Sequence, residues 1–251
     1  MPKFFTLEEF DKNDSLEISG KNAHHIANVL RYKPGDKIKI SNGAQDGIGV
    51  IQNIDKRKLK IKIKIIEKNN VIKIWPIITI YQGLLKGEKM DFVVQKNTEI
   101  GMSKLIPLIT ERTVVNPSDQ KINNKIKRWE KIAEAASKQC MRPDIPSIGQ
   151  VMRFNEAIIN SKRHEKKLIL WELEETASLK HVLKNVNRSI HHIAILIGPE
   201  GGFTEDEVRN AVKAGFQPIS LGPRILRSET ASLAVCSIIM YELGDIGGSD
   251  A

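Results

Sequence analysis

From Lys58 to Ile66 the chain reads Lys-Leu-Lys-Ile-Lys-Ile-Lys-Ile-Ile, a strict alternation of charged and aliphatic residues. A period of two sends Leu59, Ile61, Ile63 and Ile65 to one face of a strand and Lys58, Lys60, Lys62 and Lys64 to the other. Shorter apolar runs precede it, from Asp36 to Ile40 and from Gly47 to Ile54, separated by Pro-Gly, Asn-Gly and Asp-Lys turn pairs. Residues 1–70 are therefore expected to form a small β-barrel around the isoleucine face, interrupted by one short helix between Gly20 and Arg31. Glu67 to Val71 is expected to be a linker.

Beyond Ile72 the pattern changes. Apolar runs at Ile74–Tyr81, Lys104–Ile109, Leu168–Trp171, Ile193–Ile197 and Gln217–Leu221 read as strands. Between and after them lie amphipathic helices: Glu88–Ile100 closed by Gly101, Asp119–Cys140 stopped before Pro143, Thr204–Ala214, and Ser228–Leu243. Thr204 with Glu207 three residues later makes a capping box, and Ser228 is expected to be the N-cap of the last helix. Strand–helix alternation predicts an α/β fold, a mainly parallel sheet with helices on both faces. The expected division is 1–70 and 71–251.

Two loops in this second part each follow an apolar strand and precede a helix. One is Leu196-Ile-Gly-Pro-Glu-Gly-Gly-Phe-Thr-Glu-Asp-Glu-Val208, the other Leu221-Gly-Pro-Arg-Ile-Leu-Arg-Ser-Glu-Thr-Ala231. Such loops put backbone N–H groups at the carboxyl end of a parallel sheet, where α/β proteins take up ligands. The first is neither a Walker A loop nor GxGxxG; alone it reads equally as a ligand loop or a sharp turn. In the second, a cap at Ser228 and a first-turn carboxylate account for Ser228 and Glu229, but Arg224 and Arg227 have no such explanation. The two together predict one composite pocket.

The chain has 251 residues with a formal charge of +9, from 39 Lys plus Arg against 30 Asp plus Glu. The excess is concentrated: 14 basic against 9 acidic residues within 1–70, and 7 against 2 within 120–142. Nucleic acid is the first partner this suggests and a membrane surface the second, beside the plainer reading of lysine-rich coding. The amino terminus lacks the apolar core of a signal peptide, and no run is long enough to span a membrane. Cys140 and Cys236 show no metal-ligand spacing, so neither zinc nor another metal is expected, and a reducing cytoplasmic compartment is the default.

The paired loops resemble the two C-terminal motifs of the bacterial 16S rRNA (uracil-N3) methyltransferases, the RsmE family of the SPOUT class. The resemblance extends to His25-Ile-Ala-Asn-Val-Leu-Arg31, Pro34-Gly-Asp36, Lys86-Gly-Glu-Lys-Met-Asp-Phe-Val-Val-Gln-Lys-Asn-Thr-Glu-Ile-Gly101 and Glu111-Arg-Thr-Val-Val115. It departs at Lys138-Gln-Cys-Met-Arg142, where the family more often has Glu before the Gln and Gly before the Arg. The resemblance implies a trefoil knot in the C-terminal domain, a PUA-like N-terminal barrel that binds RNA, and a homodimer. It implies S-adenosylmethionine as cofactor, held by Leu170, Trp171 and Glu172, by Ile197, Gly198, Pro199, Glu200, Gly201 and Gly202, and by Leu221, Gly222, Pro223, Ile225, Leu226 and Arg227. The substrate it implies is 16S rRNA, in the setting of the small ribosomal subunit.

Uracil N3 carries a proton at neutral pH, so a fixed cation near a carbonyl oxygen would favour the developing anion and a carboxylate or water would take the proton. Arg227 is the expected catalytic cation, with Glu229 holding its guanidinium by a paired hydrogen bond. RNA contacts are expected from His25, Arg31, Lys58, Lys60, Lys62, Lys64, Lys96, Gln139 and Arg142. Several of these have plainer readings: Lys96 with Glu99 as a helix-surface pair, the barrel lysines as guards of a sheet edge, and His24 and His25 as structural histidines. Competing functions are methylation of a ribose 2′-oxygen or another base, and a non-catalytic RNA-binding protein. A nicotinamide-dependent reductase is disfavoured by the missing fingerprint.

Overall fold

The computed structural model describes residues 1–10, 14–72, 75–114, 119–187 and 189–248. The chain forms two compact units, residues 1–73 with 137–145, and residues 74–136 with 146–251.

In the first unit, β1 (Lys3–Phe5), β2 (Ser15–Ser19), β3 (Lys37–Ser41), β4 (Gln45–Asp55) and β5 (Lys60–Asn70) make a sheet in the order β1-β3-β4-β5-β2. The pairings are antiparallel except β1 with β3. Helix α1 (Gly20–His24) runs on into a π-helical turn, His25–Val29. The isoleucine alternation does build the core: Ile61, Ile63 and Ile65 pack with Phe4, Leu16, Ile18, Ile26, Ile38, Ile40 and Ile51, while Lys60, Lys62 and Lys64 face out.

Two expectations and one alternative reading fail here. Lys58 is not on the strand: Asp55 Oδ1 accepts from the Arg57 and Lys58 amides (3.0 and 2.9 Å), making a turn that Leu59 leaves at φ +50°. Glu67–Asn70 is no linker, because these residues continue the β4–β5 ladder opposite Gln45–Ile48. Nor do the lysines guard an edge, since Lys60–Lys64 pair with β4 on one side and β2 on the other. Residues 137–145 are fastened to this unit by the buried Lys3. Its ammonium pairs with Asp46 (2.8 Å) and donates to Met141 O (3.3 Å), and Ser41 Oγ donates to Pro143 O.

Among the described residues the second unit has a seven-stranded parallel sheet: β6 (Ile77–Gly83), β7 (Lys104–Ile109), β8 (Ser147–Ile148), β9 (Met152–Arg153), β10 (Lys166–Leu170), β11 (His192–Ile197) and β12 (Gln217–Ile219). Its order is β12-β10-β11-β6-β7-β8, with β9 also on β7. Ile74 lies outside the described residues and Leu221 falls beyond the last strand, so those two strands are shorter than their apolar runs. β11 explains why the runs are unbroken. Ile193, Ile195 and Ile197 join one core with α2 (Lys89–Ile100), α3 (Asp119–Cys140), α5 (Leu179–Lys184) and α7 (Ser228–Leu243). Ala194 and Leu196 join another with α4 (Phe154–Asn160) and α6 (Glu205–Lys213). A strand covered on both faces needs apolar residues at every position. Gly101 ends α2 at φ +119°, and Thr204 caps α6 through the expected box with Glu207.

Candidate active site

The carboxyl ends of β11, β10 and β12 open into a cleft of about 1060 Å³. Because β10 lies between β12 and β11, the loops leaving the three strands open side by side. All fifteen residues expected to hold a cofactor line this one cleft. The sequence reading did not select Lys89, Ser178, Ser220 or Ala231, which also line it. Lys89 is reached only through the packing of α2 beside the first loop.

That first loop, residues 198–202, is tightly held. Gly202 N donates to Pro199 O (3.0 Å), Arg112 donates to Gly201 O (3.0 Å), and Ser228 Oγ donates to Gly198 O. Glu200 accepts from the Lys86 amide and from Lys89 Nζ, each at 3.1 Å. Partial burial opposes ionisation of Glu200, but the Lys86 amide and Lys89 outweigh it and hold the carboxyl below its usual range. The strand end at Gly83 is equally close: a Cβ there would sit 2.4 Å from Pro199 N. A Cβ on Gly201 would meet Arg112 Cβ at 3.1 Å, so here the glycine lets the loop approach the protein itself. Glu111 and Arg112 thus acquire a role: the Glu111 amide donates to Glu207 Oε1 (2.9 Å) while Arg112 holds Gly201.

The second loop, residues 221–227, is open. Gly222 has φ +115° with no atom within 4 Å of where a Cβ would be, and Ile225 is 84% exposed. Arg227, not Ser228, is the N-cap of α7: its backbone is extended (φ −63°, ψ 149°) and its carbonyl accepts the first helical bond, from Ala231 N at 2.8 Å. The Ser228 hydroxyl is diverted to tertiary bonds, accepting from the buried Gln82 Nε2 (2.9 Å) and donating to Gly198. With Asn97 Nδ2 on Ser232 Oγ (3.0 Å), this fixes α7 and places the exposed Arg227 at the rim of the cleft.

The paired hydrogen bond expected between Arg227 and Glu229 is not formed. Glu229 turns instead to the start of α2, its Oε1 3.7 Å from Lys89 Nζ, and its buried Oε2 has no hydrogen-bond partner among the described residues. Lys89 therefore bridges Glu200 and Glu229.

The residues expected to touch RNA lie outside this cleft. His25 is exposed on the π turn, edge-on to Phe4 at 6.0 Å, and Arg31 follows at φ +56°. His24 is exposed beside it. On β5, Lys60 is paired with Glu17 (2.5 Å). Lys96 grips both oxygens of Glu99 (2.8 and 3.0 Å). Gln139 is exposed and Arg142 makes a forked pair with Asp144 (3.0 and 3.1 Å), both within the first unit.

A family model for an RNA methyltransferase domain matches residues 73–240, and one for an RNA methyltransferase PUA domain matches residues 18–64. The chain belongs to this RNA methyltransferase family. Within it, the ribosomal RNA small subunit methyltransferase E of Buchnera aphidicola (subsp. Acyrthosiphon pisum) is 37% identical, over 98% of this chain and 95% of its own length. That of Bacillus subtilis is 32% identical over 96% and 97%. The crystal structure of the Neisseria gonorrhoeae ribosomal RNA small subunit methyltransferase E, bound to S-adenosyl methionine, aligns with a TM-score of 0.85 at 28% identity, covering 98% of this chain and 99% of that one.

Proposed function

We propose that this chain uses S-adenosylmethionine to methylate N3 of one uridine in 16S ribosomal RNA of the small subunit. One observation carries the reading: two glycine-bearing loops and the Leu170–Glu172 segment converge on a single cleft at the carboxyl ends of three adjacent parallel strands. The cleft suits the cofactor. Leu221, Ile225 and Leu226 offer apolar flanks for an adenine ring, and the backbone of 197–202 offers N–H and C=O groups for its edge. At about 1060 Å³ there is room for a cofactor and a base together.

Bound there, the sulfonium supplies a methyl group that needs little activation. The work of the protein is alignment and exclusion of water. Arg227 at the rim meets the negative charge that develops on a uracil carbonyl oxygen as N3 loses its proton. Glu229 acts through Lys89, which it holds beside Glu200 at the mouth of the cleft. Residues 1–70 serve as the RNA-binding barrel and 71–251 as the methyltransferase domain, which carries the trefoil knot. A second copy of the chain would cover Phe92 of α2 and Ile238 and Tyr241 of α7, which are 45%, 37% and 65% exposed. We assign the enzyme to the cytoplasm, acting on the assembled subunit; no helix among the described residues is long and apolar enough to cross a membrane.

Mass spectrometry of rRNA nucleosides from cells lacking the gene tests the reading. Loss of 3-methyluridine from 16S rRNA, restored by the wild-type gene, is expected. An unchanged 3-methyluridine level with loss of a ribose methylation would overturn the base assignment.

A further inference from the structure

The outer side of helix α3 breaks two local rules of helix stability. Between residues 121 and 131 it carries Lys121, Lys125, Lys127, Arg128 and Lys131 against the one acid Glu130. Lys121–Lys125 and Lys127–Lys131 are like-charge pairs at i,i+4, each destabilising by about 0.2–0.5 kcal/mol. Lys121 and Lys125 also stand in the first two turns, at the positive end of the helix dipole. The helix is kept by its other face, where Ile122, Ile126, Trp129 and Ala133 join the core of the second unit.

Elsewhere four lysines have acidic partners: Lys60 with Glu17, Lys68 with Asp14, Lys89 with Glu200 and Lys96 with Glu99. In this stretch of α3 Arg128 is matched by Asp91 and, at 3.7 Å, by Glu88. Among the described residues Lys121, Lys127 and Lys131 have no ion-pair partner. They are exposed; at about 100° per residue Lys127 and Lys131 lie about 40° apart on one side of the helix, with Lys121 about 80° beyond Lys131 on one flank and Glu130 about 60° from Lys127 on the other. A shallow groove of about 400 Å³ follows this side, with Lys127, Arg128 and Lys131 along it and the short Asn124 and Ala135 leaving it open. Local charge conflict that buys nothing in the folded chain marks a surface meant for a partner.

The stripe is continuous with the cleft. Arg128 and Trp129 Nε1 (3.0 Å) both bind Asp91 in the first turn of α2, where Lys89 lines the cleft and meets Glu200. Along the helix axis Lys131 stands about 6 Å from Lys127, and Lys127 about 9 Å from Lys121.

Resting on the methyltransferase reading, we infer that the outer side of α3 binds the phosphate backbone of the RNA flanking the target base. It is a second basic surface, separate from the barrel lysines. A polyanion fits it better than an isolated anion, since Lys127 and Lys131 stand along the groove, Lys121 beyond its end, and no wall encloses them.

The test uses the full-length protein with Lys121, Lys127 and Lys131 changed to Gln. A charge-matched control carries Lys180→Gln, Lys184→Gln and Lys213→Gln. Affinity for 16S rRNA transcript and for small subunits from cells lacking the gene is measured from 50 to 300 mM salt. Loss of three phosphate contacts should weaken binding about 10-fold at 0.15 M and reduce the salt slope by about 2. The control should match wild type. Equal weakening in both variants, or an unchanged slope in the α3 variant, would overturn the inference. So would unchanged RNA affinity with loss of binding to phosphatidylglycerol vesicles. Binding decides the stripe whether or not methyl transfer occurs; absence of methyl transfer by the wild-type protein would count against the enzymatic reading alone.

Discussion

The two loops that wall the cleft are held in opposite ways. Residues 198–202 are bonded by Arg112, Ser228, Lys86 and Lys89 and pressed by Gly83 against the end of β6. Residues 223–226 have no hydrogen bond among the described residues, and Ile225 stands almost fully in solvent. One wall is a finished surface. The other is a flap of backbone with apolar side chains that gain contact only when something fills the cleft. Preorganising one wall limits the ordering cost of binding, while the loose one admits the ligand and then covers it.

The largest effect that would break this contrast is expected at Gly83. Gly83→Ala would put a Cβ 2.4 Å from Pro199 N, forcing the tight loop outward, and cofactor affinity should fall at least about 100-fold in calorimetry. Gly222→Ala meets no neighbour and bears only the strain of positive φ, about 1–3 kcal/mol. A smaller loss at Gly83 than at Gly222 would reverse the assignment of rigid and loose walls.

Next comes Arg227, at the junction of the open loop with α7. Arg227→Lys keeps the charge but loses the planar fork, so single-turnover methyl transfer should drop about 100-fold with cofactor affinity nearly unchanged. If affinity falls instead and turnover at saturation survives, the guanidinium serves ligand binding.

Ile225→Ser should weaken cofactor binding about 10-fold, the value of burying an exposed aliphatic side chain, about 1.5 kcal/mol or more. The melting temperature without ligand should not move, because Ile225 packs on little in the free protein. A lowered melting temperature would mean that the second wall is already formed.

The smallest effect concerns pH. Glu200 is held below the ordinary carboxylate value of 4.5 by the Lys86 amide and Lys89, against its burial. A depressed folded pKa means that this anchor is complete above 4.5 and is lost as pH falls through the lower folded value. Cofactor affinity should therefore decline in acid in the wild-type protein and be flatter in Glu200→Gln. The same acid decline in the variant would remove Glu200 as the cause.

Both walls were legible as candidates because glycine, proline and unexplained arginines after an apolar strand have few other uses. Their difference was not. The Gly83 approach, the Arg112 bond and the diversion of Ser228 from capping all join residues from separate strands. A local reading therefore put the cap one residue too late and aimed Glu229 at Arg227 instead of Lys89. In the first unit, turn chemistry misled in a similar way: Glu67-Lys-Asn-Asn resembles a linker until β4 pairs with it, since ladder hydrogen bonds accept polar side chains as readily as apolar ones.

What the amino-acid sequence determined by itself was set by periodicity and local sterics. The isoleucine face of β5, the doubly buried parallel strands, the Thr204–Glu207 cap and the end of α2 at Gly101 all belong here. Each depends on neighbours within a few positions, where side-chain direction follows directly from backbone period. Tertiary structure alone decided the strand order that brings β10, β11 and β12 side by side, the partners of Lys89 and Ser228, and the union of residues 137–145 with the first unit. These are contacts between residues distant in the chain. Which of the many possible long-range pairings is adopted depends on the packing of the whole core, a sum of many small terms that no single segment contains.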